Sequence, residues 1–180
     1  MAIQTVGVLG CGLMGGGIAQ ICAASGYKTI IREINEDFLN RGLGRIKKRL
    51  EDGVAKGRLL PEAQETTLSN LVGTTSFEEF KNCDIVIEAI TESLEDKRAL
   101  YTEVEKVISQ SAIIVSNTSS LCITELAAST KRPDRFAGMH FFNPVPVMKL
   151  VEVIRALTTT EETYQRVFEL AKALGKNPVT

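Results

Sequence analysis

"VGVLGCGLMGGGIA", Val6 to Ala19, sets Gly10, Gly12 and Gly15 in G-x-G-x-x-G order directly behind a short apolar run. Each glycine answers a separate demand: a tight turn at Gly10, close approach of the backbone to a pyrophosphate at Gly12, and packing of helix on strand at Gly15. Leu13 and Met14 open the helix whose first amides would face the phosphates. A glycine-rich turn also serves plain structure, so its surroundings decide the reading. Residues 5–9 precede it as a strand. Ile18, Ile21 and Cys22 follow on one helical face, and Thr29 to Ile31 forms a second strand that ends in Arg32 and Glu33. An acid at that place accepts hydrogen bonds from an adenosine ribose and repels a 2'-phosphate, favouring NAD over NADP, whereas Arg32 beside it would suit the phosphate.

The same alternation continues outward. From Asn35, a cap residue, Phe38, Leu39, Leu43, Ile46, Leu50 and Val54 recur at helical intervals, with Lys47, Lys48, Arg49 and Lys56 on or beyond the polar side. Gly57 stops this helix and Pro61 begins a shorter one ending near Leu68. Strands are expected at Leu71–Thr74, Asp84–Ala89, Ile113–Ser116, Phe136–Phe141 and Lys149–Arg155. Helices fall after Ser93 and around Ile123 to Ala127. A final helix takes Thr159 and Glu162 as a capping box and ends at Gly175. The expected fold is α/β: a Rossmann-type, mostly parallel sheet with flanking helices and a helical insertion after the second strand. All 180 residues form one dinucleotide-binding domain. After Gly175 another extended segment has only begun, which reads as a truncated polypeptide.

Composition narrows the function classes. With 21 basic and 22 acidic residues, no global field gathers nucleic acid or an anionic membrane, so neither is an expected partner. The start lacks the basic region of a signal peptide, and no apolar stretch approaches the roughly 20 residues of a membrane span. Cys11, Cys22, Cys83 and Cys122 are scattered, which reads as free thiols in a reducing cytoplasm. One histidine and no cysteine cluster leave no metal site in the reading.

That histidine, His140, closes a strand and is followed by Asn143, Pro144 and Pro146, a loop with little freedom. In a parallel sheet the ligand crevice lies outside the carboxyl ends of the strands, so His140 is expected beside it. An imidazole titrates near neutrality and can take a proton from an alcohol or return one to a carbonyl. Glu152, if the next strand folds back, would orient the ring and stabilise its charged form. From the spacing alone a histidine in a polar seam with a solvated glutamate is the better reading; dinucleotide binding reverses the balance toward catalysis. Ser119, after Asn117 at another strand end, is placed to hold a substrate oxygen and Asn117 to bond cofactor or substrate, although "NTSS" also makes an ordinary helix cap.

The glycine turn, "DIVIEAITESLEDK", "SNTSSLCITELA" and "HFFNPVPVMKLVEVI" together resemble the NAD-binding domain of L-3-hydroxyacyl-CoA dehydrogenases, bacterial 3-hydroxybutyryl-CoA dehydrogenases in particular. The resemblance implies reversible hydride transfer between NAD(H) and (S)-3-hydroxyacyl-CoA or 3-ketoacyl-CoA, in fatty acid or butanoate metabolism. It implies His140 as general acid/base, Glu152 as its carboxylate partner and Ser119 on the substrate oxygen. Asn143 and Glu92 would lie near the nicotinamide, with Lys97 also approaching the cofactor. Lys48 and Lys56 would meet coenzyme A, although either reads equally well as a solvated lysine. The family adds an all-helical domain that closes the cleft and forms a homodimer, so this chain is expected to bind cofactor more securely than it turns over. Glu33 stands where many relatives carry aspartate. Two rival readings stay open: a dehydrogenase of a small hydroxy acid or sugar acid on the same fold, and a non-catalytic NAD-binding protein.

Overall fold

The computed structural model describes residues 3–180; Met1 and Ala2, part of the start read for a signal peptide, lie outside the described residues. Strand alternation sends side chains to both faces of one sheet. Val6 and Val8 of β1 (Thr5–Leu9), Ile85 and Ile87 of β4 (Ile85–Glu88) and Ile113 and Val115 of β5 (Ile113–Ser116) are wholly buried on one face. There α1 (Leu13–Ala24) and α6 (Glu161–Ala173) cover them with Ile18, Cys22, Val167 and Leu170. The opposite face carries Leu9, Val86, Ile114, Ile30 of β2 (Lys28–Arg32) and Phe136 of β6 (Phe136–Phe141). Tyr101 and Val104 of α4 (Leu94–Val104) and Leu126 of α5 (Ile123–Ala128) pack on these. Each fully buried side chain of this size contributes about 1.5–3 kcal/mol, so the two cores hold the layers together.

Among the described residues the sheet has eight strands in the order β3-β2-β1-β4-β5-β6-β7-β8, with β3 at Leu71–Thr74, β7 at Leu150–Arg155 and β8 at Asn177–Val179. Every neighbouring pair is parallel except β6 with β7. Strand order reverses between β1 and β4, which opens the crevice at their carboxyl ends. The expected α/β Rossmann-type sheet with a helical insertion is the observed one: α2 (Glu36–Ala55) and α3 (Pro61–Ser69) lie between β2 and β3.

Local details differ from the sequence reading in three places. The cap of α6 is Thr160, whose hydroxyl accepts the Thr163 amide at 3.3 Å; Thr159 instead donates to Phe136 O at 2.6 Å and accepts the Ala156 amide. A tertiary acceptor has captured the earlier threonine. In α2, Asn35 does cap, accepting the Phe38 amide at 2.9 Å, yet Phe38 itself is 46% exposed and lies outside the buried stripe of Leu39, Ile46 and Leu50. Arg49 is drawn inward, donating through Nε to Gln20 Oε1 at 2.9 Å.

Candidate active site

The glycine turn forms one wall of the crevice. Gly10 has a φ of 100°, and a Cβ on Gly15 would lie 1.9 Å from the Gly10 carbonyl oxygen, so neither position admits a side chain. At Gly12 a Cβ would meet nothing within 4 Å, so packing within the protein does not demand glycine there; the open side faces a cavity of about 590 Å³. Gly12 also begins α1 without a side-chain cap, and no acid occupies the first turn. A pyrophosphate fits these observations, because it needs close backbone approach and unspent amides.

Glu33 lines the same cavity and pins the turn: Oε2 accepts the Cys11 amide and Oε1 the Ile34 amide, each at 2.8 Å. Arg32 is held by a bond from Nε to Thr75 O at 3.0 Å, with its guanidinium 3.7 Å from the centre of the Phe77 ring. The carboxylate thus stands in the wall of this cavity, and the arginine beside it is stacked on Phe77. Burial, reinforced by Glu33, pushes the Cys11 thiol up to about 11, which keeps the turn's cysteine protonated.

Further along the edge, the ends of β4, β5 and β6 enclose a second cavity of about 430 Å³, lined by Leu13, Met14, Glu92, Asn117, Ser119, His140 and Asn143 among others. His140 lies directly opposite Glu152 in the antiparallel β6/β7 register. Its Nδ1 is 2.7 Å from Glu152 Oε2, and the ring packs on Phe142 at a centroid distance of 4.6 Å. A one-residue slip of β7 would turn Glu152 to the other face. Nε2 is left as the ring nitrogen available to the cavity. Asn117 Oδ1 accepts the Phe141 amide at 2.8 Å and so ties β5 to the strand bearing the histidine.

Glu92 Oε1 accepts from the Ser119 amide at 2.8 Å and from its hydroxyl at 3.3 Å, and Oε2 accepts the Thr118 hydroxyl at 2.7 Å. Burial works to raise its carboxyl, but the Ser119 amide, the Thr118 hydroxyl and the Lys97 ammonium outweigh it and hold the group below the usual carboxylate range. Ser119 is thereby placed by Glu92.

Lys97 lines none of these cavities. It is 1% exposed beneath the floor, 2.6 Å from Glu88 Oε1 and 3.5 Å from Glu92 Oε2. Glu88, wholly buried at the end of β4, also accepts the Tyr101 hydroxyl at 2.8 Å, the Ser116 hydroxyl at 2.7 Å and the Ile90 amide at 2.8 Å. Burial, and next the charge of Glu88, raise the Tyr101 phenol, which stays a donor. The sequence reading passed over Glu88, Tyr101 and Ser116. An acid ending an apolar strand, followed by Lys97 and Tyr101 four residues apart on one helical face, was the available signal.

A third cavity, about 810 Å³, lies between α1, the helical insertion and the loop after β6, and Lys56, Arg49 and Arg58 line it together with Asn143 to Val147. Arg49 Nη2 is buried without a partner, and burial, then repulsion from Arg45, lowers the Arg49 guanidinium. Lys56 is thus brought to a cavity, whereas Lys48 lies on the exposed side of α2 and lines none of the three. Among the described residues no cluster of three potential metal ligands occurs, and no helix is long and apolar enough to cross a membrane.

The family profile "3-hydroxyacyl-CoA dehydrogenase, NAD binding domain" matches residues 5–180. A probable 3-hydroxybutyryl-CoA dehydrogenase of Deinococcus radiodurans is 45% identical over 174 residues, covering 97% of this chain and 62% of that protein. The 3-hydroxyadipyl-CoA dehydrogenase of Escherichia coli is 42% identical over 177 residues, 98% of this chain and 37% of that protein. The crystal structure of (S)-3-hydroxybutyryl-CoA dehydrogenase from Ralstonia eutropha superposes with a TM-score of 0.97 at 44% identity, covering 99% of this chain and 63% of that one. The chain therefore spans less than two thirds of the length of these relatives.

Proposed function

The chain belongs to the 3-hydroxyacyl-CoA dehydrogenase family as an NAD-binding domain, and from that premise we propose that it serves reversible oxidation of (S)-3-hydroxyacyl-CoA to 3-ketoacyl-CoA, with a short acyl chain such as 3-hydroxybutyryl. The observation that carries the reading is the 2.7 Å His140–Glu152 pair in the wall of a cavity next to the dinucleotide crevice. NAD, when bound, supplies the acceptor for the hydride leaving C3. Gly10, Gly12 and Glu33 would hold its adenosine and pyrophosphate half, and Leu13, Met14, Asn117, Asn143 and Glu92 would border the nicotinamide half.

His140 takes the 3-hydroxyl proton on Nε2 during oxidation and returns it during reduction. Glu152 on Nδ1 fixes the tautomer that leaves Nε2 free and stabilises the imidazolium. Ser119 reaches the same oxygen from β5, and Glu92 keeps it there. Lys97 acts from below by placing Glu92. The cavity lined by Lys56, Arg49 and Arg58, with Asp52 as its one acid, offers net positive charge for the phosphates of coenzyme A, a local field in a chain of net charge −1. The exposed Lys48 extends that field along α2. In the complete protein an all-helical domain closes the cleft and joins two copies as a homodimer in the cytoplasm; closure raises the rate by excluding water and orienting substrate.

Loss of NADH absorbance with acetoacetyl-CoA, run beside free acetoacetate, tests this function. Reduction of the thioester alone is the expected result. Preference for the free acid would favour the small hydroxy acid reading, and tight NADH binding with no reaction toward either, by a chain that also carries the helical domain, would favour a non-catalytic role.

A further inference from the structure

We propose that Lys176 is a positioning residue: its ammonium pins the loop from Asn143 to Met148 and thereby sets the Asn143 wall of the reaction cavity. Lys176 is 6% exposed, between α6 and β8, and Nζ donates to Val145 O at 2.5 Å and to Met148 O at 2.8 Å. Burying an ammonium is costly unless its donors are used, and here two are spent on main-chain carbonyls of one loop. Burial, then repulsion from Lys149, lowers this lysine, the sign of an ammonium that has given up much of its hydration.

At the loop's far end the Asn177 amide donates to Lys149 O at 2.8 Å and Lys149 Nζ to Gly175 O at 3.3 Å; between Asn143 and Met148 the other ties are local. Val147 and Met148 both donate their amides to Pro144 O at 2.9 Å, closing a turn on itself. Val145 is its one buried side chain, set against α1 so closely that a Cβ on Gly17 would lie 2.8 Å from Val145 Cβ. Asn143, Pro144, Pro146, Val147 and Met148 are exposed. Removing the Lys176 ammonium leaves Val145 O and Met148 O without this donor, and the turn is then joined to the β8 side only at its far end, through Lys149. Asn143 borders the 430 Å³ cavity with His140 and Ser119, whereas the 590 Å³ cavity at Glu33 is walled by other segments. Lys176 therefore governs one half of the dinucleotide crevice only. This inference rests on reading the His140 cavity as the nicotinamide end.

The test compares NADH with ADP-ribose, which lacks the nicotinamide, on the 180-residue chain and its Lys176→Met, Lys176→Gln, Asn143→Ala and Lys149→Met variants. If the competent loop conformation falls to about a tenth of the population in Lys176→Met, NADH affinity falls about tenfold while ADP-ribose affinity stays within about twofold. Lys176→Gln, which keeps a donor, falls between, and carries the test if the methionine variant fails to fold. Lys149→Met, which removes only the exposed 3.3 Å bond to Gly175 O, changes NADH affinity by less than about twofold. Exchange of the Val147 and Met148 amides, followed by NMR, speeds up in Lys176→Met without a matching change at β1 or β4. Equal losses for both ligands, or unchanged NADH affinity with unchanged exchange, overturn the proposal. If Asn143→Ala loses NADH selectively and Lys176→Met does not, pinning is wrong and the cofactor reading stands. If Asn143→Ala shows no selective loss, the cofactor reading fails and the proposal fails with it.

Discussion

Glu88 and Glu152 each set a carboxylate against a nitrogen base, 2.6 Å from Lys97 Nζ in one region and 2.7 Å from His140 Nδ1 in the other, and their surroundings differ sharply. Glu88 has no exposed surface, and four donors converge on it from α4, β5 and the turn after β4. Glu152 keeps 44% of its side-chain surface exposed, and its partner borders a cavity. The closed cluster holds charge still and fixes the ends of two strands. The open pair stands at the edge of a cavity, partly exposed on both partners. On the proposed reading, similar contact distances serve architecture in one place and chemistry in the other, and accessibility separates the two.

The largest effect that could break this comparison is at Glu88. Glu88→Ala leaves Lys97 buried with only the longer 3.5 Å contact to Glu92 and strips the Tyr101 and Ser116 hydroxyls of their acceptor, so urea unfolding should show a loss of about 3–5 kcal/mol. A loss under about 1 kcal/mol would mean that the cluster is not what holds the strand ends. Glu152→Gln is the counterpart: turnover of acetoacetyl-CoA should fall about 100-fold or more, with NADH affinity within about twofold and the unfolding midpoint nearly unchanged. Parallel losses in stability and rate would assign Glu152 to architecture as well. The smallest effect sharpens the contrast between closed and open thiols. Burial pushes Cys11 up to about 11 and Cys22 and Cys83 up to about 12, so at pH 8 all three stay protonated as well as covered. Iodoacetamide should label Cys122 alone, the exposed cysteine of the four, and mass spectrometry should count a single adduct.

Legibility in the sequence followed the same divide. The glycine turn, the strand alternation and the acid after β2 are periodic or local signals, and the sheet they implied is the sheet observed. The approach of His140 to Glu152 was readable because a short proline loop between two apolar runs fixes an antiparallel register. Lys97 could not be placed by spacing, since whether a lysine enters a cavity or lies under its floor depends on the depth of α4 against the sheet. Glu88 escaped notice because one acid at the end of "IVIE" has no period, and its meaning arises only where α4 and β5 bring three side-chain donors to it. Thr159 and Thr160 show the limit of a cap motif: adjacent hydroxyls are equivalent in sequence, and a carbonyl of β6 chose between them.

The most direct test of the account is a single-turnover reaction with the chain in excess over NADH and with saturating acetoacetyl-CoA at pH 7, run on the parent and on His140→Gln. The account predicts loss of NADH absorbance in the parent and a rate at least about 100-fold lower in the variant, with NADH bound equally by both. Equal rates in the two proteins, or loss of NADH binding in the variant, would contradict it.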